Sequence, residues 1–348
     1  IKAGVRSARI LNDNQRWTGE VKQSIKISSD PVPELTAAEK QEIEEFWKPY
    51  LSKVPTVWHK LFYAKTGTKR PDFVAKKVFN HDIRPAMNDP KLAGCWSDKA
   101  YLDYFVTSIK TPECVVRNVS GRFLDKDFRL ISQAEAQEIM NQYDALVIKP
   151  TMFTHTGMGV SLLKAPFKID EIIRNYKKNY VIQLPIRQHS DMAKLNASSV
   201  NTIRMNSVLF DTESHIMSAF VKVGQSGQFA DNSGSDRYFI GIDVETGCFR
   251  DYAINHDLQV FRSLPSGFAF GGQAVPNFKK VAEEICRAHK CLPHFGFAFW
   301  DVCVDENGDP VVVEVNLRSP EPTIAQCTGE PFLGKYTKQI LEYIKGRK

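Results

Sequence analysis

The chain has 348 residues, 43% of them hydrophobic and 25% charged, with a formal net charge of +6. Those fractions exclude a disordered, collagenous or coiled-coil chain, and the length calls for one large or two to three compact domains. No stretch approaches about eighteen uninterrupted apolar residues, which excludes a membrane-spanning helix. Lys and Arg are scattered, without the clustered basic face that a nucleic-acid partner needs.

The opening IKAGVRSARILNDNQR is polar and basic and lacks a signal-peptide apolar core. The chain starts at Ile1, so an upstream piece is expected to have been removed. Its first thirty residues read as an irregular arm. Thr36-Ala-Ala-Glu39 has capping-box chemistry and opens a helix with Ile43, Phe46 and Trp47 at helical spacing. Pro49, Pro55, Pro71 and Pro85 break up the aromatic-rich stretch that follows. Ser97-Asp98 is expected to start a helix through Tyr101, Leu102 and Phe105, stopped at Thr111-Pro112. Ser132-Gln-Ala-Glu135 is a second capping box.

From Asp144 the texture changes to strands: ALVIKP, MGVSLLK, YVIQLPI, NTIRMNSVLF, HIMSAFVKV and RYFIGIDV. Residues 277–289 read as an amphipathic helix with Val281, Ile285 and Ala288 on one side. GFAFWDVCVD and PVVVEVNL then flank Asn307-Gly308, a strong hairpin signal. A helix over 336–345 closes the chain. The order implies an α+β fold. The seven cysteines, Cys95, Cys114, Cys248, Cys286, Cys291, Cys303 and Cys327, are odd in number and irregularly spaced. They suit a reducing cytosolic (cytoplasmic) compartment better than a disulfide framework or a zinc site.

Taking Asn307-Gly308 as a two-residue turn pairs Glu306 with Asp309, Val304 with Val311 and Asp301 with Glu314. Period two then puts Asn316 on the face of Glu314. Two carboxylates opposite each other among apolar residues repel. Solvent or a lysine can relieve them, and so can a hard divalent cation. Asp301, Glu314 and Asn316 supply three oxygen ligands of the type magnesium accepts, and their place inside long apolar runs favours the cation.

Lys149 ends a buried strand. The loop from Pro150 to Gly159, with Thr154, Thr156, Gly157 and Gly159, leaves backbone amides free to curl around an anion. It is not a Walker loop, because the lysine precedes the glycines. In the YVIQLPI strand, Gln183 and Pro185 interrupt the apolar run and expose backbone groups of Leu184 and Ile186, as an edge strand or a purine edge requires.

Lysine, flexible loop, hinge strand, then Asp…Glu-x-Asn on a terminal hairpin is an order that resembles the ATP-grasp ligases. The stretches TGTKRPDFV, CWSDKAYL, ALVIKPTMFTHTGMGV, SSVNTIRM, ADNSGSDRYFIGIDVETG and WDVCVDENGDPVVVEVNLRSPEP resemble more specifically the sugar-transfer-associated ATP-grasp proteins found with capsule and surface-polysaccharide genes. The resemblance implies an ATP-grasp fold, two α+β subdomains clasping ATP, with a helical N-terminal region at 1–95, a small subdomain at 96–185 and a large one at 186–348. It implies that Lys99 and Lys149 contact the phosphates, with Thr154, His155, Gly157, Met158 and Gly159 in the phosphate loop. Gln183, Leu184 and Ile186 would take the adenine edge and Asp191 the ribose. Relatives of the broader fold carry an acid where Gln183 stands. Asp301, Glu314 and Asn316 would hold one or two Mg2+ ions, with Mn2+ an acceptable substitute. Arg204 would face the γ-phosphate, and Arg318, Asp231, Asn232 and Glu321 the small-molecule acid and amine substrates.

The implied reaction is ATP-dependent carboxylate–amine ligation through an acyl-phosphate, joining an amino acid or other amine to a sugar acid. A kinase acting on a hydroxylated substrate, or a non-catalytic nucleotide-binding protein, would use the same site. No oligomeric state is implied.

Overall fold

The computed structural model describes residues 16, 18–26, 31–51, 54–152, 158–227, 237–318 and 320–346. Both capping boxes form as the sequence predicts. Glu39 N–H donates to Thr36 Oγ1 at 3.2 Å while Thr36 N–H donates to Glu39 Oε2 at 2.8 Å, and Ser132 and Glu135 repeat the exchange. They start the helices Ala37–Trp47 and Gln133–Met140. The described part of the N-terminal arm corrects the expectation of irregular chain: residues 18–26 are helical, and Val21 is buried in the core.

Among the described residues, thirteen strands form two antiparallel sheets. The first contains β1 (Cys114–Val119), β2 (Arg122–Leu124), β3 (Leu130–Ile131), β4 (Ala145–Pro150), β5 (Ser161–Lys164) and β6 (Tyr180–Gln183), in the order β3-β2-β1-β6-β4-β5. The second contains β7 (Thr202–Phe210), β8 (Glu213–Val223), β9 (Tyr238–Ile242), β10 (Phe249–Asn255), β11 (Val260–Phe261), β12 (Phe297–Val304) and β13 (Pro310–Asn316), in the order β11-β10-β9-β8-β7-β12-β13.

One face of the small sheet buries Val116, Leu146, Ile148, Tyr180 and Ile182 against the helices Gln133–Met140 and Ile169–Tyr176. Period two turns Lys149, Val181 and Gln183 to the opposite face. In the large sheet, Met205, Ala219, Trp300 and Val302 pack on the helix Phe278–His289 through Val281, Ile285 and Ala288, the side that the spacing predicts. The other face carries Phe220, Phe239, Phe297 and Phe299. It is covered by the N-terminal helices Ala37–Trp47 and Val57–Thr66 and the C-terminal helix Thr337–Gly346. The N-terminal helices therefore share the core of the large sheet.

Several local expectations change. The helix expected from Ser97 is broken into a 3-10 turn, Lys99–Tyr101, capped by the Asp98 side chain, and a single turn, Leu102–Phe105. MGVSLLK becomes strand only from Ser161. The two-residue turn with both central residues at positive φ falls at Ser120–Gly121, joining β1 to β2, not at Asn307–Gly308. At the last hairpin only Gly308 takes positive φ, and the turn spans Asp305–Gly308, closed by Gly308 N–H on the Asp305 carbonyl. Val304 consequently pairs with Pro310, one residue out of the expected register.

A buried polar chain crosses the large-sheet core. Trp300 Nε1–H donates to Ser207 Oγ at 2.8 Å, Ser207 Oγ lies 2.8 Å from His289 Nδ1, and His289 Nε2 lies 2.9 Å from the Phe295 carbonyl. The carbonyl partner assigns the proton to Nε2, so Nδ1 accepts from Ser207 and the ring is neutral. Burial holds His289 at about 4, from 6.5, and burial does the same to His59. Both histidines are neutral when folded and bind a proton near pH 6.5 when unfolded. Stability is therefore complete above pH 6.5 and falls toward pH 4, by about 3 kcal/mol per histidine. The urea midpoint should drop between pH 7 and 4.5, and a His59→Asn/His289→Asn double variant should lose most of that slope. A flat wild-type profile over this range would sink the assignment.

Candidate active site

The last hairpin reaches the expected Asp301–Glu314 pairing by an unexpected route. Val302 pairs with Val312 and Asp301 with Glu314, so Val313 is an extra residue, a bulge that cancels the one-residue slip at the turn. Beyond the bulge Phe299 pairs with Asn316, which puts Glu314 and Asn316 on one face of the edge strand. On the neighbouring strands Asp301 pairs with Arg204, Arg204 with Phe220 and Thr202 with Lys222. Glu314, Asp301, Arg204 and Lys222 thus share the sheet face that carries the phenylalanine core.

Asp301 is 5% exposed and Lys222 3%. Asp301 Oδ1 accepts from Arg204 Nε at 2.7 Å and from Lys222 Nζ at 2.9 Å, and Oδ2 accepts from Arg204 NH2 at 3.2 Å. Burial alone would raise this carboxyl, but Arg204 and then Lys222 outweigh it and hold it at about 2. Glu321 joins the group, 3.4 Å from Arg204 and 3.8 Å from Lys222. Its buried Oε2 is ion-paired without a hydrogen-bond donor. Burial pushes Glu321 up as well, and the same two cations bring it below its ordinary value.

The small sheet supplies the opposite wall. Lys149, at the end of β4, donates its Nζ to the carbonyl of the bulge residue Val313 at 3.1 Å. Lys99 Nζ lies 3.1 Å from Glu314 Oε1, and its backbone N–H donates to the Thr151 carbonyl at 3.2 Å. Arg117, 1% exposed, fixes the Lys99 segment from below: Nε donates to the Ala100 carbonyl at 2.8 Å, and NH2 pairs with Asp103. Burial first, and then the charge of Lys99, lower Lys149 to about 8, against the opposing pull of Glu314.

Lys99, Lys149, Arg204, Asp301 and Glu314 are therefore brought together, with Asn316 beside Glu314. Gln183 is buried near the same wall, where Nε2 donates to the Pro112 carbonyl at 3.2 Å and Oε1 is left to accept. The reading of Leu184 is corrected in part. Its N–H is taken by the Glu113 carbonyl at 2.9 Å, so only its own carbonyl remains as an acceptor, with the Ile186 N–H as a donor. Gly159 has φ +78°, and a Cβ there would lie 2.8 Å from Pro150 Cγ, so glycine is required where the loop closes. Met158 is exposed. Thr154, His155, Thr156, Gly157, Asp231 and Asn232 lie outside the described residues. Asp191 is exposed and paired with Lys194 at 2.7 Å. Arg318 NH2 donates to the Pro90 carbonyl at 2.7 Å. Lys222 and Arg117 were missed in the sequence, because each looks like an ordinary charged residue in a strand until its distant partner is known.

Among the described residues no group of three or more His, Cys, Asp or Glu is arranged to hold a metal ion. The candidate set here is two acids and an amide. Asp301 spends three contacts on Arg204 and Lys222, and a carboxylate has about four lone-pair directions, so one direction on Oδ2 remains open to a cation. Glu314 and Asn316 complete a hard-oxygen set that fits magnesium.

Two lysines and a carboxylate thus meet where the two antiparallel sheets face each other. The family model for sugar-transfer-associated ATP-grasp proteins matches residues 78–342, and the chain belongs to that family. A search of curated proteins finds no match. Among solved structures, the chain is similar to the VanG D-Ala:D-Ser ligase from Enterococcus faecalis (15% identity, TM-score 0.43, 72% of this chain and 61% of that one). It is also similar to the ATP-grasp ligase PsnB complexed with minimal precursor, Mg and ADP (12%, 0.45, 74% and 62%). A third is the D-alanine–D-alanine ligase from Bacillus anthracis complexed with ATP (14%, 0.40, 72% and 66%). The chain thus spans about three fifths of the length of the first of these.

Removing Asp301 leaves Arg204 and Lys222 buried with too little countercharge. Asp301→Ala should cost about 3–5 kcal/mol in urea unfolding, and a loss below about 1 kcal/mol would show that the ion pairs do not hold the strands. A phosphate placed at Lys149 favours the charged amine, so an anion binding there draws in a proton near pH 8. Pyrophosphate affinity should fall as pH rises through 8. Calorimetry in two buffers of different ionisation enthalpy should show proton uptake, and Lys149→Met should abolish it.

Proposed function

We propose that this protein is an ATP- and magnesium-dependent carboxylate–amine ligase that joins an amino acid or other amine to a sugar acid in surface-polysaccharide biosynthesis. The observation that carries the reading is the pair Lys99 and Lys149, half-neutralised by one carboxylate, Glu314. Together with Arg204 and Lys222 they set four cations against the three carboxylates Asp301, Glu314 and Glu321. A polyanion such as a triphosphate tail supplies the missing negative charge.

In this reading Lys99 and Lys149 bind the phosphates, and Arg204, held at fixed orientation by Asp301, faces the γ-phosphate. Glu314, Asn316 and the open direction of Asp301 Oδ2 hold magnesium, which when bound supplies charge neutralisation to the phosphate tail. Gln183 Oε1, the Leu184 carbonyl and the Ile186 N–H offer the acceptors and the donor that an adenine edge needs. The ribose partner proposed from the resemblance is Asp191, which would first have to leave Lys194.

An oxygen of the substrate carboxylate attacks the γ-phosphorus, and the bond to the β-phosphate oxygen breaks, releasing ADP. The amine nitrogen then attacks the acyl carbon; phosphate leaves with the bonding pair and the nitrogen loses a proton, giving the amide. The side chains act by alignment and by dispersing charge on the transferring phosphoryl group. The family name and the cationic site support the sugar-acid assignment, and the seven free thiols support a cytoplasmic setting.

The test is ADP release with magnesium and ATP against a panel of sugar acids, each with and without amino acids. The ligase needs both co-substrates, whereas release with a single hydroxylated compound would establish the kinase. Lys149→Met and Glu314→Ala should each lower kcat/KM by about a hundredfold or more while the protein stays folded. Unchanged turnover in Glu314→Ala would remove the metal assignment.

A further inference from the structure

The segment leading into Asn88 carries a guanidinium that the proposed reaction does not use. Phe79–Ile83 forms a π-helical turn, in which the Arg84 N–H donates to the Phe79 carbonyl, and Arg84–Met87 follows as a single α-helical turn. Such wide turns are rare and recur at functional sites. Asn88 pins this one in place. Its N–H donates to the Arg84 carbonyl at 2.8 Å, and its side-chain amide donates to the carbonyls of Phe297 at 2.8 Å and Leu317 at 3.3 Å.

Arg84 is thereby fixed one helical turn from Leu317, the residue between Asn316 and Arg318. Arg318 reaches the same region from the other side, anchored on the Pro90 carbonyl, with NH2 3.3 Å from the position of a Cβ on Gly94. Arg84 Nε is buried without a hydrogen-bond partner, and Arg84 has no ion-pair partner among the described residues. Burial first, and then the charge of Arg318, press Arg84 below its ordinary value. Two like charges lie close together here, and the one that is half-buried has no countercharge.

We propose that Arg84 and Arg318 form an oxyanion subsite, separate from Lys99 and Lys149, that holds a carboxylate or phosphate group of the acid substrate. Guanidinium forks match both oxyanions bidentately, and an anion here supplies the countercharge that Arg84 lacks. Two residues of chain, at most roughly 7 Å, separate Arg318 from Asn316, so the anchored group lies next to the proposed reaction centre. The identity of the ligand as the acid substrate rests on the ligase reading; the subsite itself does not.

Inorganic phosphate and malonate, titrated calorimetrically into the full chain with and without saturating Mg·AMPPNP, test it. With AMPPNP bound, one oxyanion site should remain, and Arg84→Met or Arg318→Met should weaken it by about tenfold or more without loss of AMPPNP binding. Arg84→Lys, which keeps the charge and the stem, should weaken it less. Lys149→Met should do the reverse, losing AMPPNP and keeping the oxyanion. Tighter phosphate assigns a phosphate group on the substrate, and tighter malonate a carboxylate. Oxyanion binding that vanishes when AMPPNP is bound, or that both Arg84 variants leave unchanged, overturns the proposal. AMPPNP failing to bind the wild-type chain counts against the nucleotide reading and leaves the oxyanion result standing.

Discussion

The buried carboxylate of Asp301 is the contact on which the site's geometry depends. It lies on β12, its guanidinium partner Arg204 on β7 and its ammonium partner Lys222 on β8, so one acid ties three strands at the point where the sheet face changes from aromatic to ionic. Desolvating three charges is costly, and only mutual pairing makes it tolerable. The same pairing fixes the guanidinium plane of Arg204 before any ligand arrives. A flexible arginine would lose rotamer freedom on binding, and this one has already lost it on folding.

The bulge at Val313 does for the edge strand what Asp301 does for the interior. A regular ladder continued from Val304–Pro310 would leave Asp301 opposite Val313 and turn Glu314 to the far face. One extra residue reverses that and bends the strand. It also presents the Val313 carbonyl to Lys149, which belongs to the other sheet. The feature that re-aims the acid is thus also where the two sheets touch, and any change in hairpin length is transmitted to Lys149.

Local chemistry was legible in the sequence. Both capping boxes, the long central strands of the large sheet and the helix Phe278–His289 follow from residues within a few positions of each other. The small sheet's first hairpin was missed because Ser120–Gly121 is a weaker turn signal than Asn307–Gly308, yet Ser120 takes the left-handed conformation with its N–H on the Asn179 side chain, a partner far away in sequence. The Asp301–Glu314 pairing was reached from a wrong turn, because a slip at the tip and a bulge further along cancel. Lys222, Arg117 and Arg84 are silent in the sequence for one reason: their environment is made by segments between 8 and about 230 residues away, and no periodicity encodes it.

Charge balance connects these pieces. Arg117 spends four of its five N–H donors on three carbonyls and Asp103, and it serves to hold the turn that carries Lys99. Lys99 in turn takes Glu314, which leaves Lys149 with a backbone carbonyl as its hydrogen-bond partner among the described residues. Each saturated contact deeper in the fold therefore leaves an unsaturated cation nearer the cleft. A buried lysine in that position relaxes by losing its proton unless an anion arrives. The positive excess of the site is thus a consequence of how its supports are satisfied.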